Sequence, residues 1–465
     1  MKVTKKNIDD LEAILGPSHV LKDPKQVQEY SKDWSKPQET FASCVLLPNH
    51  TEEISKILAY CQKHQIPVVP SGGRTGLAAG AVAKQGEVIL SLGRLNKVLN
   101  VDPVGLTVEV EAGVTTQALQ EAVAKESLFY AVDLGARGSS QIGGNLATNA
   151  GGLKFIRYGG TREQVLGLEV VLAGGQVLNL NRALRKNNAG YPLMYLFVGS
   201  EGTLGVITRA TLKLSKKPRE LTLACVGVET FPKVVDLLAL SHQSNMSVTA
   251  LEFFSDLAVG KVLISFSGLK LPFAERFPYY ALIEIEEDLS SLSMEQFLET
   301  AFEKELIRDA VLASSSQEFR DLWALRENIT ESLSHGYVRK NDISLSIKDL
   351  CVFFEKVNKT LEKKDPKIEV VMFGHIGDGN VHVNYSADRL VDHDTFIKEA
   401  QLLERRIFSI VHELKGSISA EHGIGLLKKD DLKLVCEELE ISYMKGIKQL
   451  FDPKGIMNPG KIFDL

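Results

Sequence analysis

Two histidines bracket an Asp-Gly dipeptide in the segment Val370-Val371-Met372-Phe373-Gly374-His375-Ile376-Gly377-Asp378-Gly379-Asn380-Val381-His382-Val383-Asn384-Tyr385. Asp-Gly between two apolar runs is a strong signal for a two-residue hairpin turn. With Asp378-Gly379 at the turn, Gly377 pairs with Asn380, Ile376 with Val381 and His375 with His382. Directly opposed residues share a face, with Cβ atoms about 4.5–5.5 Å apart. Two imidazoles so placed converge on one metal ion, and Asn384, two residues on, shares their face. Ile376, Val381 and Val383 then face a core. The alternative is a pair of histidines on a polar sheet face.

A third ligand must come from elsewhere. Ser419-Ala420-Glu421-His422-Gly423-Ile424-Gly425 sets a carboxylate beside a histidine, flanked by glycines, at the expected start of a helix. Two imidazoles and one carboxylate suit Zn²⁺ or a similar divalent ion with one position left open. Helix capping by Glu421 and His422 is the plainer alternative. Upstream, Trp323-Ala324-Leu325-Arg326-Glu327-Asn328-Ile329-Thr330 reads as helical, so Arg326 and Thr330 would be neighbours on one face. A guanidinium presents a planar fork that matches a carboxylate. Lys340, in Tyr337-Val338-Arg339-Lys340-Asn341-Asp342, offers a second positive charge. Arg on a helix is also commonly a solvated surface residue.

Three glycine-rich stretches offer backbone instead of side chains. Asp133 to Gly152 reads DLGARGSSQIGGNLATNAGG, too rich in glycine to favour helix or strand. Pro70-Ser71-Gly72-Gly73-Arg74-Thr75-Gly76-Leu77 follows the strand-like Ile66-Pro67-Val68-Val69, and Gly199-Ser200-Glu201-Gly202-Thr203-Leu204-Gly205 lies further on. Bare backbone comes close to a ligand, and successive N–H groups in a glycine turn form a concavity for an anion such as a pyrophosphate. Any one of these stretches alone is equally compatible with a flexible surface loop.

Taken together, and with Leu153-Lys154-Phe155-Ile156-Arg157-Tyr158-Gly159 and Leu166-Gly167-Leu168-Glu169-Val170-Val171-Leu172-Ala173, they resemble the flavin-gripping elements of the vanillyl-alcohol-oxidase-type FAD-binding domain. Within that superfamily the chain is most similar to the FAD-dependent D-2-hydroxyacid dehydrogenases, and nearest to the branch acting on D-2-hydroxyglutarate. D-lactate dehydrogenases and the glycolate oxidase flavin subunit are near relatives. The resemblance runs from about Phe41 to the C-terminus.

It implies FAD held by Pro70, Ser71, Gly72, Gly73, Arg74, Thr75, Gly76, Leu77 and Gly80, then Leu134, Gly135, Ser139, Ser140, Gly143, Gly144, Thr148, Asn149, Gly151, Gly152 and Tyr158, and finally Glu201, Gly202, Gly205, Val206, Ile207 and Asn458. The flavin is expected to be non-covalent: relatives that anchor it through the pyrophosphate loop use a histidine where this chain has Arg74. The resemblance also assigns the metal to His375, His382 and Glu421, the base to His422, and the substrate carboxylate to Arg326, Thr330 and Lys340; Asn384 and His422 are expected to contact the substrate as well. One departure stands out: Ser334-His335-Gly336-Tyr337 is one residue shorter than the family pattern, which bears on where Lys340 falls. The implied reaction is oxidation of a D-2-hydroxy acid to the 2-oxo acid. An external acceptor (electron-transfer flavoprotein, quinone or cytochrome) would then take the electrons. Other open readings are a flavoenzyme acting on sugars or aromatic alcohols, and a non-catalytic flavin subunit.

The elements that must position these residues read as α+β. At 465 residues the chain exceeds one ordinary core. The expected parts are N-terminal helices (1–40), an FAD-binding domain (41–217), an antiparallel-sheet substrate and metal domain (218–415), and a C-terminal helical segment (416–465) that returns to the flavin. Expected helices include Thr51 to His64, Gln317 to Ser334 and Ile424 to Phe451; expected strands include Cys44 to Pro48, Thr107 to Glu111, Leu221 to Val228, Tyr280 to Ile285, Lys367 to Phe373 and Val381 to Tyr385. No G-x-G-x-x-G opens a helix after a strand, so a nicotinamide has no visible seat. A net charge of -5 argues against a nucleic-acid partner. The five cysteines are scattered, without C-x-x-C, which leaves iron–sulfur ligation and a disulfide framework unsupported. A cytoplasmic protein is expected, with peripheral membrane association and a homodimer left open.

Overall fold

The computed structural model describes residues 3–35, 39–287 and 292–465. The chain divides into two compact units: Met1–Gly152, Gly159–Lys217 and Glu421–Leu465 form the first, and Leu153–Tyr158 and Pro218–Ala420 the second. The fold is α+β, with helices packed on largely antiparallel sheets. Among the described residues no helix is long and apolar enough to cross a membrane.

In the first unit, Ala42–Leu46, Glu87–Ser91 and Val68–Ser71 pair in parallel, with Val20–Leu21 antiparallel at the edge. The helix Thr51–His64 buries Ile54, Ile57, Leu58 and Cys61 and carries Glu52 and Glu53 in its first turn, where the helix dipole favours negative charge. A second sheet runs Val98–Asp102, Thr107–Glu111, Val206–Lys213, Val165–Val171, Val177–Asn179, antiparallel throughout. Both sheets feed one core, in which Val68, Val88, Val108, Val110, Leu168 and Val170 are buried together.

The second unit is an antiparallel sheet in the order Asp309–Leu312, Leu221–Val228, Tyr279–Glu286, Val248–Ser255, Glu369–His375, Asn380–Ala387, Tyr337–Arg339; Asp342–Ser344 also pairs with Asn380–Ala387. The helices Asp256–Ser265 and Ser316–Glu327 cover one face, where Ala250, Phe254, Leu282, Val371 and Phe373 meet Val262, Leu322 and Trp323. The short stretch Leu153–Tyr158 is tied in by Lys154, which pairs with the buried Glu284 carboxylate. Trp323 Nε1 donates to the other oxygen of Glu284 at 3.1 Å.

Several expectations are corrected. The glycine run holds a helix after all, Ile142–Thr148, closed by Asn149 in the left-handed region at φ 50°. A Cβ on Gly143 would come within 2.7 Å of Ala112 Cβ, so close packing sets the residue type there and overrides weak helix propensity. The helix expected from Gln317 to Ser334 breaks at Asn328 into Ser316–Glu327 and Ile329–Ser332, which removes the regular four-residue spacing assumed for Arg326 and Thr330. The C-terminal helix spans Glu438–Phe451; the stretch from Ile424 is turns and a short 3₁₀ segment, and Gly425 has φ 50°.

The histidine hairpin is also shifted. His375 lies opposite Asn380 and His382 opposite Phe373, so the turn holds four residues, Ile376–Gly379, instead of two. Two local features stabilise it. Asp378 Oδ1 accepts from the Asn380 N–H at 3.0 Å, and Leu345 N–H donates to the Gly379 carbonyl at 3.0 Å. Gly379, at φ 77°, backs directly onto the Leu345 carbonyl. The face assignment survives, because the slip is an even number of positions along the strand.

Candidate flavin and metal-binding site

In the first unit the three glycine-rich stretches surround one cavity of about 330 Å³, within the size range of small-molecule sites. Of the residues expected to hold the cofactor, all line this cavity except Ser139, Asn149, Gly152, Tyr158 and Asn458. Those five stand as follows. Ser139 offers its carbonyl to the back of Gly73, where a Cβ would sit 2.9 Å from the carbonyl carbon and closer still to the oxygen. Asn149 caps its helix and accepts from the Arg162 N–H at 3.1 Å. Asn458 Nδ2 donates to the Glu201 carbonyl at 2.6 Å and the Gly80 carbonyl at 2.9 Å, holding two of the stretches together. Gly152, at φ 115°, donates to Glu421 Oε1 at 3.1 Å. Tyr158 belongs to the second unit.

Glu421 and His422 line the same cavity as the glycine loops. Their segment is fixed by Glu201, whose buried carboxylate accepts from Ile424 N–H at 2.7 Å and Gly425 N–H at 2.8 Å. Burial pushes the Glu201 carboxyl up; the two amides and the Lys428 and Lys461 charges oppose that without cancelling it. Arg74 occupies the left-handed region at φ 57°, a strained position for a side-chain-bearing residue. Its guanidinium lies over the Tyr30 ring at 4.3 Å.

The cavity wall also presents polar atoms that the described residues do not satisfy. Asp33 Oδ2, Ser71 Oγ and Gln141 Oε1 are buried with no hydrogen-bond partner among the described residues, and all three residues face the cavity. Buried polar atoms are normally paired, so this wall fits a ligand bearing donors and acceptors, as a flavin nucleotide does. Asp33 and Gln141 were missed in the sequence, since neither belongs to a glycine motif or carries a spacing signal.

In the second unit the chemistry centres on the sheet face under the helix Ser316–Glu327. Strand register sets Glu252 directly opposite His375, and His375 opposite Asn380. His375 Nδ1 is 2.7 Å from Glu252 Oε1. The Arg326 guanidinium forms an ion pair with Glu252 Oε2 at 2.8 Å and lies 4.7 Å over the Phe373 ring. Arg326 is 5% exposed, so the surface alternative is excluded. The His375 and His382 rings are 5.5 Å apart, diagonal neighbours on the hairpin. Asp342, fully buried, faces His382 with Oδ1 3.5 Å from Nδ1. Asn384 lies on the same face and accepts from the Asn341 N–H at 3.2 Å. Lys340 sits half-buried between the strands Tyr337–Arg339 and Asp342–Ser344, and Thr330 is half-buried in its short helix.

The donor set fits a divalent cation in kind. Nδ1 of His375 is engaged by a carboxylate, so a cation would be ligated through Nε2, the arrangement in which metal-binding histidines are usually held. Of the three expected ligands, His375 and His382 belong to the second unit and Glu421 to the first. Glu252 and Asp342 were not anticipated. The signal for Glu252 was available: one acid inside Val248-Thr249-Ala250-Leu251-Glu252-Phe253-Phe254-Ser255, an otherwise strand-like stretch.

Comparison with known proteins agrees with both units. Residues 42–181 match the FAD binding domain model, and residues 217–462 match the model described as FAD linked oxidases, C-terminal domain. The chain is 41% identical to D-2-hydroxyglutarate dehydrogenase of Stutzerimonas stutzeri over 98% of both chains. It is 40% identical to the enzyme of that name from Xanthomonas citri, over 95% of this chain and 93% of the relative. Among solved structures, p-cresol methylhydroxylase shares the fold, with a TM-score of 0.78, 17% identity and coverage of 99% of this chain and 98% of the other. The family models and the relatives together show an FAD-dependent oxidoreductase acting on a CH–OH donor. The chain belongs to the FAD-dependent D-2-hydroxyacid dehydrogenases of the vanillyl-alcohol-oxidase type.

Proposed function

We propose that this chain oxidises D-2-hydroxyglutarate to 2-oxoglutarate with the help of a divalent cation, Zn²⁺ or a similar ion, held by His375, His382 and Glu421. The substrate follows the names of the bacterial relatives. The observation in this chain that carries the reading is the buried assembly on one sheet face. Two imidazoles lie 5.5 Å apart, beside a guanidinium held on the same carboxylate as His375. A hydroxy dicarboxylate calls for a cation at the hydroxyl end and positive charge at the carboxylates.

Oxidation removes the hydroxyl proton and the C2 hydride. His422 takes the proton; imidazole is the side chain suited to proton transfer near neutral pH. Arg326, Thr330, Lys340 and Asn384 orient the carboxylates, Arg326 through its fork and Lys340 as a point charge. When bound, the flavin supplies the acceptor for the hydride, and the cation supplies Lewis acidity to the hydroxyl. An outside acceptor, an electron-transfer flavoprotein, quinone or cytochrome, then takes the electrons, because the chain carries no iron–sulfur cysteine spacing of its own.

The test is anaerobic bleaching of the flavin absorbance with D- and L-2-hydroxyglutarate, D-lactate and glycolate, with and without a chelator. D-2-hydroxyglutarate should bleach fastest, and the chelator should slow it by at least about tenfold, reversibly on adding Zn²⁺. Equal rates with chelator present would remove the cation from the reaction; no bleaching by any 2-hydroxy acid would overturn the activity.

A further inference from the structure

We infer that Glu252 is a positioning residue that sets the ligating atom of His375 and the direction of Arg326 with a single carboxylate. This rests on the metal-dependent reading proposed above.

The inference starts from strand register. Glu252 lies on Val248–Ser255 directly opposite His375, so the two side chains rise from the same sheet face. Glu252 is 1% exposed and would be a costly isolated charge there. It is compensated from two sides, by a hydrogen-bond contact at one oxygen and an ion pair at the other. Its Oε1 lies 2.7 Å from His375 Nδ1, and its Oε2 lies 2.8 Å from the Arg326 guanidinium.

Each contact has a consequence. A carboxylate facing Nδ1 keeps a proton on that nitrogen in the neutral ring, and the lone pair then falls on Nε2. Only that tautomer gives a cation a donor at Nε2. On the other side, the Arg326 guanidinium is anchored by its ion pair with Glu252 and lies over the Phe373 ring. Without Glu252, a buried guanidinium would face a histidine that has to accept a dication. Both the metal and the substrate anchors therefore hang on one side chain that touches neither ligand.

Length and charge can be separated by two variants. Glu252→Gln keeps the length and loses the charge; its amide NH₂ facing His375 would favour the wrong tautomer, and facing Arg326 would set donor against donor. Glu252→Asp keeps the charge but is shorter by about 1.5 Å, too short to reach both partners. The experiment titrates metal-stripped holoflavin enzyme with Zn²⁺ against a chromophoric chelator, with no substrate present. Steady-state KM and kcat for D-2-hydroxyglutarate are measured alongside.

Both variants should bind Zn²⁺ roughly 10–100-fold more weakly than the parent while keeping their flavin. KM should rise as well as kcat fall, because Arg326 loses its anchor. Zn²⁺ affinity and KM within twofold of the parent in Glu252→Gln would overturn the inference. If the variants do not fold, ¹⁵N spectra of the parent's histidines, assigned with His375→Gln, decide the matter: His375 should be the Nδ1–H tautomer, and an Nε2–H tautomer would overturn it. Parent enzyme that takes up no Zn²⁺ would sink the metal-dependent reading instead, with the tautomer still read separately.

Discussion

The Glu421 carboxylate accepts a hydrogen bond from the Gly152 backbone N–H at 3.1 Å, joining positions 269 residues apart. The neighbouring Gly151 leaves room for that carboxylate: a Cβ there would lie 3.1 Å from Glu421 Cδ and 3.3 Å from Cγ, and nearer still to Oε1. The bare backbone at the end of the glycine run thus serves an acid side chain as well as the cavity.

Gly151→Ala follows directly. The atom in the way is the far end of a flexible side chain, so the chain should fold, at a cost toward the low end of the roughly 1–3 kcal/mol typical of overpacking. The carboxylate, however, must move. Bound metal per protein, measured by mass spectrometry after gel filtration, should fall well below one equivalent, while the melting temperature changes by only a few degrees. Unchanged metal content would remove Glu421 from the ligand set.

Much of this arrangement was legible because it depends on residue type at fixed spacing. Pro70 to Leu77, with Ser200, Glu201, Gly202 and Gly205, offer small side chains and bare backbone suited to close approach of a ligand, and they end up facing one cavity with Gly143, Gly144 and Gly151. What sequence could not supply was partnership between distant strands. Asp378-Gly379 signals a tight turn, yet pairing with Asp342–Ser344 and the contact of Leu345 with Gly379 select a four-residue turn. Glu252 lies 123 residues from His375, and nothing local announces that the two will be opposed. The glycine run was misread in the other direction. Its helix exists because Gly143 packs against Ala112, a tertiary reason that propensity does not contain.

Gly73→Ala should behave unlike Gly151→Ala. Here the obstruction is backbone, since a Cβ would sit 2.9 Å from the Ser139 carbonyl carbon and 3.1 Å from Ser140 Cα. Neither can yield without moving the cavity wall. Overpacking of this kind costs roughly 1–3 kcal/mol. The expected result is purified protein with a flavin-to-protein absorbance ratio reduced severalfold and a lower urea midpoint. Full flavin loading at an unchanged midpoint would mean that the two stretches are free to separate.

Lys461 gives a pH signature with a definite sign. It is 2% exposed. Burial pushes its amine down from the ordinary 10.5 to about 8, against the attraction of Glu87, Asp33 and Glu201 and with a small push from Lys84. Below about pH 8 the amine is charged in both folded and unfolded chains, so the full cost of burying it is present. Between about pH 8 and 10.5 the unfolded chain holds more protons than the folded one, and stability contributed at this site rises with pH. The lowered pKa corresponds to about 3 kcal/mol over the whole window. Burial also lowers the Lys448 amine from its ordinary value, so pH dependence does not come from one group alone. The useful quantity is therefore the difference between parent and Lys461→Met. Urea unfolding at about pH 7.5 and about pH 10 should show that difference shifting by about 2–3 kcal/mol in favour of the parent at the higher pH. A difference that is flat with pH would mean that Lys461 keeps its charge through that range, with Asp33, Glu87 and Glu201 compensating its burial in full.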